Sequence, residues 1–114
     1  MAGQRMRRVN EAIREVLSEA IAQGLKDPRI GFVTVVGVDT SPDLSSAKVY
    51  VSVLGDETER ERTLEGLGHC HGYLQSLLGA QLGMKRTPRL TFIFDETIER
   101  GMRMEKLLKE IEEQ

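Results

Sequence analysis

The chain has 114 residues and a mass of 12.8 kDa, the size of one ordinary domain, with 39% hydrophobic and 30% charged residues. That balance suits a globular core and excludes a disordered tail or a collagen-like repeat. A net charge of −2 conceals an uneven distribution: Arg5, Arg7, Arg8 and Arg14 lie near the start, Asp56, Glu57, Glu59, Glu61 and Glu65 in the middle, and Lys85, Arg86 and Arg89 later.

Val9, Ile13, Val16, Leu17, Ala20 and Ile21 follow the three-and-four spacing of one helix face, which predicts a helix from about Met6 to Gly24, where a left-handed cap is easy. The turn residues Lys26-Asp27-Pro28-Arg29 lead into Ile30–Val38, rich in β-branched residues and read as a strand. Asp39–Asp43 is turn chemistry, after which Ala47, Val49, Val51 and Val53 alternate with Lys48, Tyr50 and Ser52. The short link makes this second strand antiparallel to the first. Asp56, with Glu59 three residues on, opens a helical stretch carrying Leu64, Leu67, Leu74, Leu77, Leu78 and Leu82. Gly66, Gly68 and Gly72 each cost about 1 kcal/mol against alanine, so a break near Gly72 divides it into two helices.

The second of these ends near Gly83, and Thr87-Pro88 forces an extended entry into Arg89–Phe94, a third strand in which Leu90, Phe92 and Phe94 alternate. From Thr97, the spacing of Met104, Leu107, Leu108 and Ile111 predicts a last helix that frays over about 109–114. The expectation is a single α+β domain over 1–114, in the order helix, strand, strand, helix, helix, strand, helix. Its closure is a mixed three-stranded sheet with helices on one face. That is the order of a type II KH domain.

Apolar runs fall far short of the about 20 residues that cross a bilayer, and no charged start followed by an apolar stretch opens the chain. The single cysteine, Cys70, cannot close an intramolecular disulfide, so a reduced, cytoplasmic setting without membrane contact is expected. His69-Cys70-His71 holds both histidines and the only cysteine, but neighbouring helical positions point about 100° apart and cannot converge on one ion or form a nucleophile pair. Gly66-Leu67-Gly68 lies within a helical stretch and lacks a phosphate-loop lysine. The sequence therefore reads as a non-enzyme with no metal, cofactor or small-molecule substrate. Phe32, Tyr50, Tyr73, Phe92 and Phe94 are few and fall mostly on expected core faces, which disfavours base stacking and leaves recognition by shape and phosphate.

The basic clusters carry the functional reading. Arg5, Arg7 and Arg8 oppose the positive end of a helix dipole, where acids are preferred, so a partner rather than helix stability explains them. Arg14 lies two turns beyond Arg7 on one face. Lys85, Arg86 and Arg89 follow a helix C-terminus, where cations are favoured anyway. All seven are candidate phosphate contacts. Arg100, Arg103, Lys106 and Lys109 are interleaved with Glu99, Glu105 and Glu110 and read as a solvated face.

Several segments together resemble ribosome-binding factor A. They are Arg8-Val9-Asn10-Glu11-Ala12-Ile13-Arg14, Lys26-Asp27-Pro28-Arg29-Ile30, Asp43-Leu44 with Ala47-Lys48-Val49-Tyr50-Val51, Thr87–Phe92, and Asp95 with Gly101-Met102-Arg103-Met104. The match runs in order from about Arg5 to Leu108. The resemblance implies a type II KH-like domain with an Ala-x-Gly kink between its second and third helices in place of a GxxG loop. Here the kink reads Cys70-His71-Gly72, with cysteine for alanine. It also implies a monomer that binds the 30S ribosomal subunit and its 16S rRNA. There it would assist late maturation, including processing of the 5′ end, without catalysis and with a link to growth in the cold. Two other readings stay open: a KH-like module for another structured RNA, and a protein-interaction domain using the acidic stretch Asp56–Glu65.

Overall fold

The structure, a computed structural model, describes residues 2–95 and 108–112. Its elements run α1 (Ala2–Gln23), β1 (Val33–Thr40), β2 (Ser46–Val53), α2 (Glu57–His69), α3 (His71–Leu82) and β3 (Arg89–Phe94). This is the α+β order expected from the sequence. Most of the expected last helix lies outside the described residues, of which 108–112 are helical.

β2 is the central strand, antiparallel to β1 and parallel to β3. The parallel pairing requires the α2–α3 crossover, and α1–α3 supply the other half of the core. Ile13 and Leu17 of α1, Leu67 of α2, and Leu74 and Leu78 of α3 are fully buried against Val35, Val49, Val51 and Leu90 of the sheet. Burying side chains of this size stabilises the fold by roughly 1.5–3 kcal/mol each.

β1 begins three residues later than the β-branched run predicts and ends at Thr40, inside the expected turn. Its register with β2 shifts between Val35 and Gly37. The extra residue inverts the side-chain alternation. Val33 and Val35 therefore oppose the core-facing Val53 and Val51 before the bulge, and Val38 and Thr40 oppose Val49 and Ala47 after it. Beyond β1, Asp43 closes the hairpin by accepting from the Ser41 hydroxyl at 2.8 Å and the Ser45 hydroxyl at 2.7 Å.

Asp56 caps α2, its carboxylate accepting from the Glu59 amide at 2.8 Å. The helix break falls at Cys70 (φ −87°, ψ 2°), two residues before Gly72, which already lies inside α3. One residue between two helices leaves no room for a loop. α3 ends on Gly83 in the left-handed conformation (φ 64°), as its sequence requires.

Candidate nucleic-acid interface

Hydrogen bonding and register show how the basic residues are arranged. Asn10 of α1 accepts from the Thr40 amide at 2.9 Å, which fixes the N-terminal half of α1 at the end of β1. Thr40 pairs with Ala47, Ala47 with Leu90, and Ser46 with Arg89. The Arg89 amide also donates to the Ser45 carbonyl at 3.0 Å. The start of α1, the β1–β2 turn and the start of β3 therefore share one end of the molecule. Some seventy residues of sequence separate Arg5, Arg7, Arg8 and Arg14 from Lys85, Arg86 and Arg89; the fold brings both groups to this end.

Within α1 the arginines do not form one stripe. Arg5 and Arg8, three residues apart, share one flank; Arg7 and Arg14, seven apart, share another about 140° round the helix. Arg5, Arg7 and Arg8 are exposed, as are Lys85, Arg86 and Arg89, and none of the six has an ion-pair partner among the described residues. Arg14 differs. Its guanidinium is half-buried and donates to both carboxylate oxygens of Glu11, with Nε at 3.0 Å from each. That pairing holds the Glu11 carboxyl below the usual range and raises Arg14. Of the four candidate arginines on α1, it is the one whose charge is already shared.

Lys48 belongs with the basic end although sequence reading passed it over. It is exposed on β2, between Asp39 of β1 and Thr91 of β3, two positions from the Ser46–Arg89 pair. Alternation marked Lys48 as outward-facing, but only the register relates it to Arg89.

At the opposite end of β2, about 25 Å away for an eight-residue strand, α2 begins with Asp56, Glu57, Glu59 and Glu61. The charges are thus segregated along the strand direction, basic at one end and acidic at the other. Arg60, which also lies there, stacks over the Phe94 ring, 4.8 Å from its centroid.

The turn before β1 is bound to α2 rather than offered to a ligand. Asp27 is 8% exposed and accepts from the Arg29 amide at 3.0 Å and from its guanidinium at 3.0 and 2.8 Å. The Arg29 guanidinium, with that amide, holds the Asp27 carboxyl at about 2. The Thr63 hydroxyl donates to the Arg29 carbonyl and accepts from the Gly31 amide, both at 3.3 Å. Gly66 lies against this turn so closely that a Cβ there would stand 2.7 Å from Cγ1 of Ile30.

At the kink, Cys70 and Tyr73 line a cleft of about 410 Å³ with Leu25 and Lys26. Burial pushes the Cys70 thiol up, away from the thiolate a nucleophile needs. His71 Nδ1 lies 3.0 Å from the Gly68 carbonyl, and among the described residues no three metal-ligating side chains converge. No described helix is long and apolar enough to cross a membrane.

The aromatic expectation is corrected. Phe32 is 80% exposed, Tyr73 is 59% exposed, and Tyr50 lies half-buried on the face of β2 away from Val49 and Val51, so only Phe92 and Phe94 of the five pack against the core. Phe32 precedes β1 instead of sitting within it, and Tyr73 stands in the first turn of α3, about 100° round the helix from the buried Leu74.

Comparison with known proteins agrees with this architecture. The family model described as "Ribosome-binding factor A" matches residues 5–108. A curated protein named ribosome-binding factor A from Halothermothrix orenii is 44% identical over 114 residues, covering 100% of this chain and 93% of its own length. The crystal structure of ribosome-binding factor A from Thermus thermophilus superimposes with a TM-score of 0.69 at 32% identity, covering 78% of this chain and 93% of its own. A homology model of the Thermus thermophilus factor, fitted into a cryo-EM map of a 30S complex, gives a TM-score of 0.63 at 34% identity, with coverage of 75% and 90%.

Proposed function

The chain belongs to the ribosome-binding factor A family, and from that premise we propose that it binds the 30S ribosomal subunit in the cytoplasm and assists late maturation of 16S rRNA, including processing of its 5′ end, without catalysing a reaction. The observation that carries this reading is the gathering of Arg5, Arg7, Arg8, Lys85, Arg86 and Arg89 at one end of the fold. Guanidinium groups there match the geometry of phosphate oxygens, and each contact displaces condensed counterions from the RNA. A relative fitted into a 30S complex supplies the partner by analogy.

Such a protein acts by differential binding. It stabilises the rRNA conformation that presents phosphates in register with both basic groups, and it leaves when the mature conformation no longer does so. The acidic start of α2 repels phosphate and so helps fix which end of the molecule meets RNA.

The test is complementation. A bacterial strain deleted for its own family member is expected to accumulate 5′-extended 16S rRNA and to grow slowly in the cold; this chain restores 5′ processing, while a variant with Arg5, Arg8, Lys85 and Arg86 changed to glutamine does not. Restoration by that variant would contradict the assignment of the interface.

A further inference from the structure

β1 is an edge strand, and part of its edge is unpaired among the described residues. The Leu54 amide donates to the Phe32 carbonyl at 3.1 Å, which makes Phe32–Leu54 a hydrogen-bonded pair of the antiparallel ladder. By alternation, Thr34–Ser52 is the next such pair, and the N–H and C=O groups of Val33 and Val35 point away from β2. No backbone or side-chain group among the described residues takes them up. Exposed edges are usually blunted by charge, proline or a bulge. Here the bulge comes only after Val35, leaving the edge before it open.

This free edge borders a groove of about 390 Å³ between Ser18, Ile21 and Ala22 of α1 and the Gly31–Val35 backbone. Phe32, 80% exposed, lines it, and Leu54, 74% exposed, is the cross-strand partner of Phe32. Among the described residues no charged side chain lines the groove. One turn before Ser18 and Ala22 on α1 stand the exposed Glu15 and Glu19 and also Arg14, whose charge is taken up by Glu11, so the rim is acidic on balance. On the Leu54 side, Glu59 and Arg62 balance each other.

We propose that the Val33–Val35 edge takes an extended, lysine- or arginine-bearing segment of a 30S subunit protein as a fourth strand, with an apolar side chain seated beside Phe32. Outward N–H and C=O groups repeating every second residue match a polypeptide main chain. The carboxylate rim of α1 favours cationic side chains and repels phosphate. The partner's location on the subunit rests on the functional reading above. The strand-addition edge lies at the end of β1 away from Arg5, Arg7 and Arg8 of α1, so both surfaces can be engaged at once.

The test places the photo-crosslinking residue p-benzoylphenylalanine at position 32 and irradiates the full chain bound to purified 30S subunits. The expected product is a crosslink to one subunit protein, mapped to a stretch containing Lys or Arg. In parallel, Val33→Pro removes one outward amide at the first residue of the strand, where proline is tolerated. It is expected to lower affinity for whole subunits about fivefold and to leave affinity for naked 16S rRNA unchanged. With wild-type subunit binding intact, crosslinks that fall on rRNA, on this chain, on a second copy or nowhere overturn the docking alone. Failure of the wild-type chain to bind subunits overturns the functional reading, and the partner with it.

Discussion

Asp27 clasps Arg29 within the turn before β1, and its chemistry makes the clasp dependent on pH. Its carboxyl is held at about 2 by Arg29, and that of Asp43 at about 2 by the Ser45 and Ser41 hydroxyls, against an unfolded value near 4. A carboxyl depressed in this way stabilises the fold fully above pH 4, and the contribution is lost as pH falls toward 2. The denaturant midpoint of the wild-type chain is expected to drop across that window, and Asp27→Asn to drop less; equal slopes for the two would show that the pairing contributes nothing. Arg14 and Arg8 make a second contrast. Arg8→Gln is expected to reduce the slope of log K against log salt for 16S rRNA by about 0.7–0.9, the value of one phosphate contact, and Arg14→Gln by much less. Glu11, three residues before Arg14, is a visible signal of a competing partner for this arginine, but spacing alone does not show that the pair forms.

Helix-breaking glycines illustrate what elements reveal and hide. Composition alone treats Gly66, Gly68 and Gly72 alike, as costs of about 1 kcal/mol each. The structure separates them: a Cβ at Gly66 would meet Ile30 and Arg29 at 2.7 and 3.3 Å, whereas at Gly68 and Gly72 nothing lies within 4 Å. Gly68→Ala is expected to stabilise the chain by about 0.5–1 kcal/mol, while Gly66→Ala destabilises it by about 1–2 kcal/mol because overpacking exceeds the gain in helix propensity. Thermal melts of the two variants, moving in opposite directions, check this. β3 was legible to the residue because Thr87-Pro88 fixes its start and alternation runs cleanly to Phe94. β1 was not, because a continuous β-branched run does not mark where pairing starts, and the bulge at Val36 inverts the parity on which a sequence pattern depends.

At the scale of the whole molecule, the basic groups were legible as clusters and their meeting was not. It depends on three long-range facts: Asn10 reaching Thr40, the β1–β2 register, and the parallel placement of β3. The same topology puts the acidic start of α2 and the edge of β1 before the bulge at the far end of β2 from the basic groups. The fold order followed from periodicity because each element has one apolar face. The exposure of Phe32 and Tyr73 did not, since aromatic residues are core residues by default. The central claim, that the basic end binds the 30S subunit through phosphates, is tested most directly by co-sedimentation of the wild-type chain with purified 30S and 50S subunits across a salt series. The expected result is binding to 30S alone that weakens steeply and linearly in log K against log salt. Binding to both subunits alike, or 30S binding indifferent to salt, would contradict it.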